Sequence, residues 1–161
     1  MPEAGNAGSP LTSLPDFALT ADDGRTVTKA DVAGHRAVIW FYPKADTPGC
    51  TTEAQDFTRL AEDFAVLGVR LFGVSPDPQV KVSRFKQKRE IGPTLLSDES
   101  TAFAQAMNVW VEKSMYGRTY MGVERSTFLV DENGSVVREW RKVRVKGHSE
   151  AVLQAAKDQF G

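Results

Sequence analysis

The strongest constraint on the fold is an alternation of two apolar runs and one amphipathic segment between residues 37 and 75. Residues 37–42, AVIWFY, precede Pro43 and are typical of a central strand buried on both faces. After Gly49, apolar residues recur at spacings of three and four, which predicts one helix that ends at Gly68. Residues 69–75, VRLFGVS, predict the next buried strand. Strand, helix and strand in this order form a crossover, so we expect the two strands to be parallel.

The remaining predicted elements suit the same fold class. In chain order they are two short β segments around a turn at 22–25, a helix over about 78–90, a short strand in TLLSD, a small helix near 101–106, an antiparallel pair at 126–131 and 136–140 across an Asn-Gly turn, and a closing helix from near Ser149. This order predicts an α/β, thioredoxin-like fold with an N-terminal β-hairpin and insertions, in which helices flank a central mixed sheet. The Gly-, Ala-, Ser- and Pro-rich residues 1–14 predict a flexible arm before a single domain, 15–161.

Charge and composition argue against several classes of partner. The formal net charge of the 161 residues is -1, which gives no general attraction to nucleic acid or to an anionic membrane. No apolar run approaches the ~20 residues of a spanning helix, and the N-terminus lacks the apolar core of a signal peptide. We interpret the basic clusters at 81–89 and 141–146 as a solvated helix face and a polar strand end. We therefore expect a cytoplasmic protein that binds neither nucleic acid nor membrane, and no motif for a metal or a cofactor is present.

The chain has one cysteine, Cys50, in the polar segment PGCTTE between the first buried strand and its helix. A lone cysteine is often an inert small apolar residue, but these neighbours are polar and turn-forming. The first turn of a helix has free N–H groups and the positive end of the dipole, and both favour a thiolate. Pro48 and Gly49 suit a tight helix entry, and Thr47 offers a hydroxyl to the sulfur or to a bound oxygen. We therefore expect Cys50 to be reactive.

The segment PKADTPGC resembles the peroxiredoxin signature, with Pro43, Thr47 and Cys50 at the spacing of that family. The longer stretch FYPKADTPGCT is similar to the bacterioferritin-comigratory, or Q-type, branch. Three later blocks, FGVSPD, TLLSDE and RSTFLVDENGSV, also resemble the family, so the likeness extends over about 14–155.

The resemblance implies a thiol peroxidase that reduces hydrogen peroxide and organic hydroperoxides. The Cys50 thiolate attacks a peroxide oxygen and becomes sulfenic acid. Arg125 matches the catalytic arginine that holds the thiolate and the peroxide, and Thr47 supplies a hydroxyl donor. Pro43 shields the sulfenate, and backbone N–H groups of Cys50 and Gly49 bind oxygen.

Glu53, one turn after Cys50, is a candidate to orient the arginine, with a plain first-turn carboxylate as the alternative. Trp110, Met115 and Tyr116 are candidates to line an apolar approach to the site.

The chain departs from many Q-type members because Gln55 occupies the position of their resolving cysteine. The resemblance then implies a one-Cys enzyme, a monomer or a weak dimer, reduced by an external thiol such as thioredoxin, glutaredoxin or glutathione. Two alternatives remain at this point. One is a Cys/His hydrolase using His35 or His148, both interpreted as surface or capping residues, and the other is a non-catalytic thioredoxin-like binding module.

Overall fold

The computed structural model describes residues 12–161, which form nine strands and six helices. The strands are β1 (Ala18–Ala21), β2 (Thr26–Thr28), β3 (Arg36–Phe41), β4 (Val69–Ser75), β5 (Thr94–Ser97), β6 (Trp110–Met115), β7 (Arg118–Val123), β8 (Ser126–Val130) and β9 (Val136–Trp140). The helices are α1 (Lys29–Val32), α2 (Pro48–Arg59), α3 (Ala61–Val66), α4 (Gln79–Arg89), α5 (Ala102–Ala106) and α6 (His148–Phe160). None of the helices among these residues is long and apolar enough to span a membrane.

Seven strands form one mixed sheet in the order β2-β1-β5-β4-β3-β8-β9. The predicted crossover is confirmed, since β3 and β4 are parallel and Val38 lies opposite Leu71. The predicted hairpin of β8 and β9 is confirmed as well, and β8 also pairs antiparallel with β3. This arrangement is the predicted thioredoxin-like fold.

The core lies on both faces of the sheet, and successive residues of β3 divide between them. Val38 and Trp40 join the cluster under α2, α3, α4 and α6. Ile39 and Phe41 join the cluster on the opposite face with α1 and α5. Each of these four side chains is at most 1% exposed. Burial on both faces explains why this strand is a continuous apolar run and not an alternation of apolar and polar residues.

The single helix predicted after Gly49 is two helices, because Leu60 has φ -96° and ψ 5° and ends α2. The chain turns there and begins α3, which brings Phe64 to 6.0 Å from the Phe57 ring in the same core cluster. The closing helix, predicted from near Ser149, begins at His148, and its N-cap is Gly147.

A second, two-stranded sheet of β6 and β7 was not predicted. Most of its side chains are exposed or half-buried, so no clear apolar alternation marks its strands. Its tight turn at Tyr116 and Gly117 has positive φ at both residues, 54° and 77°, as a two-residue hairpin turn requires. Of the predicted apolar approach residues, Tyr116 is 97% exposed at this turn.

Most of the predicted N-terminal arm, residues 1–11, lies outside the described residues. Its last three residues are attached to the domain and are not a loose extension: Ser13 forms a β-bridge with Ser135, and Leu14 is buried. The amide of Leu14 donates to the carbonyl of Gly134 at 2.9 Å.

Candidate active site

Cys50 lies in the first turn of α2, just beyond the carboxyl end of β3. Thr47 is the N-cap residue in extended conformation, and Pro48 occupies the first helical position, where its missing N–H has no cost. The first helical hydrogen bond runs from the amide of Thr51 to the carbonyl of Thr47 at 2.8 Å. The amides of Gly49 and Cys50 therefore precede the hydrogen-bond ladder, and both are free to bind a ligand. The Cys50 side chain is 1% exposed.

Arg125 is brought to Cys50 by the pairing of β8 with β3. It lies in the two-residue link before β8, and Ser126 pairs with Phe41 at the end of β3. Its Nη2 is 3.4 Å from Sγ of Cys50, and its Nη1 donates to Oε1 of Glu53 at 2.7 Å. One planar guanidinium therefore contacts the thiol and a carboxylate at the same time.

Glu53 is as deeply buried as Cys50, with 1% of its surface exposed. Burial raises its pKa to about 7, although the charge and the hydrogen bond of Arg125 oppose that shift. Its second oxygen, Oε2, has no hydrogen-bond partner among the described residues. For Arg125, burial acts to lower the pKa, but Glu53 and Cys50 outweigh it and raise the value. Arg125 therefore keeps its positive charge beside the sulfur.

The hairpin of β6 and β7 ends at Val123, two residues before Arg125. Burial lowers the pKa of Lys113 in β6, and the charge of Arg125 lowers it further, whereas Cys50 acts in the opposite direction. The pKa of Lys113 therefore responds to both Arg125 and Cys50.

The other predicted site residues lie in the loop and first turn around Cys50. The Thr47 hydroxyl donates to the carbonyl of Lys44 at 2.7 Å, so the bond it makes is not the expected one to the sulfur. A Cβ added to Gly49 would lie 3.4 Å from Nη2 of Arg125, so Gly49 lies next to the guanidinium. Pro43 is half-buried at the start of the loop.

Asp77 anchors the active-site loop and was missed by sequence reasoning. Its Oδ2 accepts hydrogen bonds from the amide of Ala45 at 2.7 Å and from the Ser75 hydroxyl at 2.9 Å. The signal in the sequence was its place directly after the carboxyl end of β4, where polar residues of adjacent parallel strands meet. This buried carboxylate ties the end of β4 to the loop that precedes Cys50.

His148 is not the surface or capping residue that the sequence predicted. It is buried between the rings of Phe57 and Trp140, and its Nε2 is 2.8 Å from Oγ1 of Thr127. Burial, together with the positive charge of Arg125, lowers its pKa to about 4. Among residues 12–161, the side-chain hydrogen bond to Cys50 comes from Arg125 and not from a histidine.

The chain matches the model of the AhpC/TSA family over residues 11–139. It is 49% identical over 144 residues to peroxiredoxin Bcp of Bacillus subtilis strain 168, which covers 89% of this chain and 92% of that protein. It is 45% identical over 142 residues to peroxiredoxin Bcp of Xanthomonas campestris, covering 88% of this chain and 89% of that protein.

Solved structures of related proteins have the same fold as this chain. Peroxiredoxin Q of Xanthomonas campestris has a TM-score of 0.87 and 41% identity, covering 93% of this chain and 99% of that one. The bacterioferritin comigratory protein of the same organism, described for its alkyl peroxide reduction activity, has a TM-score of 0.87 and 40% identity, with the same coverage. These likenesses confirm the predicted family and decide against the two alternatives, a Cys/His hydrolase and a non-catalytic binding module. The chain belongs to the AhpC/TSA family and is a peroxiredoxin, a thiol peroxidase, similar to the Bcp or Q-type members.

Proposed function

We propose that Cys50 is the peroxidatic nucleophile and that Arg125, Thr47 and the first-turn amides form the peroxide site. The Sγ thiolate attacks one peroxide oxygen, an S–O bond forms, the O–O bond breaks, and the leaving oxygen departs as hydroxide or alkoxide. Cys50 becomes sulfenic acid, which is the first step of thiol oxidation. The single observation that carries this proposal is the 3.4 Å contact between Nη2 of Arg125 and the sulfur.

Arg125 has two roles in this proposal. Its permanent positive charge stabilises the thiolate, and its N–H groups stabilise the charge that develops on the leaving oxygen. Glu53 is a positioning residue, because its bond to Nη1 fixes the direction in which Nη2 points. The amides of Gly49 and Cys50 are the second source of donors for peroxide oxygen.

Thr47 binds the peroxide as a hydrogen-bond acceptor. Its hydroxyl proton is committed to the carbonyl of Lys44, so the lone pairs of Oγ1 are available to the O–H of an incoming hydroperoxide. Pro43 limits the access of water to the loop, consistent with its half-buried position.

Both hydrogen peroxide and organic hydroperoxides are substrates in this proposal. The Xanthomonas campestris relative is described for alkyl peroxide reduction. The hairpin beside the site carries several exposed apolar side chains, which suit the carbon chain of an organic hydroperoxide: Met115, Tyr116, Tyr120 and Met121.

The sulfenic acid is reduced by an external thiol, because Cys50 is the only cysteine in the chain. This step requires a reducing compartment, which agrees with the predicted cytoplasmic location. We propose a monomer or a weak dimer as the working state.

Peroxide consumption in the presence of an excess external thiol tests this function. The parent protein should consume hydrogen peroxide and tert-butyl hydroperoxide catalytically. Protein whose thiol has been blocked with N-ethylmaleimide, then freed of the reagent, should be inactive. Equal consumption by the blocked protein would overturn the assignment, because the blocked sulfur cannot act as a nucleophile.

A further inference from the structure

A basic groove lies beside the active-site loop, and of the residues that line it only Thr47 has a role in the proposed peroxide chemistry. The groove encloses about 360 Å³, within the ~300–1,000 Å³ typical of small-molecule sites. It runs between the loop and α4, and the residues that matter are Lys44, Asp46, Thr47, Asp77, Lys81 and Arg84.

The two carboxylates of the groove are already engaged. Asp46 accepts from Lys88 at 2.9 Å and from Arg89 at 2.7 Å, so its charge is balanced from α4. Asp77 is buried and accepts from the amide of Ala45 at 2.7 Å.

The cations of the groove are not engaged. Lys44, Lys81 and Arg84 are exposed, and within residues 12–161 their side chains have no hydrogen bond or ion pair. Three unpaired positive charges around one concave surface favour an anionic ligand.

The groove and the helix that carries the reactive sulfur share Thr47. Thr47 lines the groove and is the N-cap of α2, and Cys50 follows three residues later. At 1.5 Å per residue this is roughly 4.5 Å along the helix axis. Helical side chains lean toward the N-terminus, so the Cys50 side chain leans toward this loop.

We propose that the basic groove binds a small anionic thiol, a carboxylate-bearing peptide thiol of the glutathione class, that reduces the sulfenic acid of Cys50. The proposal rests on the proposed peroxidase function. The thiolate attacks Sγ of the sulfenic acid, an S–S bond forms, and the S–O bond breaks with loss of hydroxide, which is protonated to water. A second thiol attacks the mixed disulfide, releases the Cys50 thiolate and leaves as the symmetrical disulfide.

The charge of the groove favours the reductant over the peroxide as its occupant. Hydrogen peroxide is neutral and gains little from three cations, whereas the carboxylates of a peptide thiol form charge-assisted hydrogen bonds with them. The peroxide donors lie elsewhere, on Arg125 and the first-turn amides. A long-chain lipid hydroperoxide would need an apolar channel, and only Ala45 and Phe85 are apolar in this lining.

The test measures the two half-reactions separately in the parent and in the double variant Lys81→Glu/Arg84→Glu. Protein is first oxidised with one equivalent of hydrogen peroxide, and formation of sulfenic acid is confirmed with a dimedone trap. Oxidised protein that has not been treated with dimedone is then mixed with glutathione, 2-mercaptoethanol or cysteamine at equal thiolate concentration. These thiols are anionic, neutral and cationic, respectively. We expect the rate constant for glutathione to fall about tenfold or more, on the scale of one or two lost charge-assisted contacts. The constant for 2-mercaptoethanol should be unchanged, and that for cysteamine should rise.

The matched control is Arg70→Glu/Lys157→Glu, which makes the same change of net charge at two exposed residues outside the lining of the groove. It should reduce with all three thiols as the parent does. Raising the salt to 1 M, where the screening length is ~3 Å, should remove most of the advantage of glutathione in the parent. Equal rates of glutathione reduction in both double variants, or an equal loss for all three thiols, would overturn the groove assignment. Failure of the parent to form sulfenic acid would instead overturn the proposed function.

Discussion

Nη2 of Arg125 lies 3.4 Å from Sγ of Cys50, although the two residues are 75 positions apart in the chain. The contact follows from the sheet, since β8 pairs with β3 and β3 leads directly into the loop before α2. The same guanidinium is held by Glu53 at 2.7 Å. A nucleophile and its cation are therefore fixed by buried elements before a substrate arrives, as electrostatic preorganisation requires.

Replacing Cys50 with serine should abolish peroxide reduction and leave the fold intact. The change is nearly isosteric, and the hydroxyl is a far weaker nucleophile than a thiolate. We expect the turnover rate to fall at least about a thousandfold, as it does when other covalent nucleophiles are removed. Peroxide loss measured with excess thiol gives the result, with circular dichroism as the check of folding. Activity within about tenfold of the parent, a barrier change of only ~1.4 kcal/mol, would contradict the role of Cys50.

Replacing Arg125 with lysine keeps a positive charge but removes the planar fork that reaches sulfur and carboxylate together. The barrier for oxidation of Cys50 should rise by about 1.5–3 kcal/mol, near the effect of losing one preorganised donor. Stopped-flow measurement of the second-order rate constant with hydrogen peroxide tests this. Arg36→Lys, at the far end of β3, is the matched control and should behave as the parent. An unchanged rate constant for Arg125→Lys would remove this residue from the site.

The buried Glu53 should make the stability of the fold depend on pH. Its pKa is raised from 4.5 to about 7 in the folded protein, so the folded state holds the proton over a range in which the unfolded state has lost it. The free energy of unfolding should therefore fall as the pH rises from about 4.5 to 7, by up to about 3 kcal/mol at ~1.4 kcal/mol per pKa unit.

Comparison with Glu53→Gln isolates this effect, because the amide does not titrate. His148, whose pKa is lowered to about 4, acts in the opposite direction and is present in both proteins. Urea unfolding between pH 5 and pH 8 should show that the free energy of unfolding of the parent falls, relative to that of the variant, as the pH rises. Parallel curves would show that Glu53 titrates at its ordinary pKa.

Replacing Gln55 with cysteine should supply an internal resolving thiol, but only if α2 opens. Gln55 is exposed and Cys50 is buried on the same helix. Positions five apart differ by roughly 140° around the axis and about 7.5 Å along it, whereas a disulfide needs Cα atoms within about 7 Å.

The first turns of α2 must therefore unwind when peroxide forms the disulfide. Amide exchange across 48–57 should accelerate, and the oxidised variant should melt at a lower temperature than its reduced form. Gln55→Ser is the control and should show neither change. If peroxide instead leaves Cys50 as a stable sulfenic acid and the introduced thiol remains free, then α2 is too stable to unwind.

Structural features that depend on residues close together in the chain, or on a strong apolar period, were predictable from the sequence. The buried strand, its crossover and the first-turn position of Cys50 follow from apolar runs and from Pro48 and Gly49. The family resemblance pointed to Arg125, and the position of Glu53 one turn after Cys50 made it a candidate to orient the arginine. The register of β8 on β3 explains how the two residues meet.

Features that depend on tertiary packing were not predictable. The end of α2 at Leu60 has no Gly or Pro to mark it, and the burial of His148 depends on Phe57 and Trp140 from other elements. The hairpin of β6 and β7 lacks a buried face, so its sequence carries no strong period. The sequence places Asp77 just beyond the end of β4, but its hydrogen bond to the distant amide of Ala45 depends on how the loop packs.

The most direct test of the central claim is a single-turnover oxidation of the reduced protein with one equivalent of hydrogen peroxide. The thiol should disappear in equal amount, the intact mass should increase by one oxygen, and dimedone should label the peptide that contains Cys50. Excess peroxide should then carry the product to the sulfinic acid, because the chain has no second cysteine to protect it. An unchanged mass with the thiol still titratable after equimolar peroxide would contradict the account.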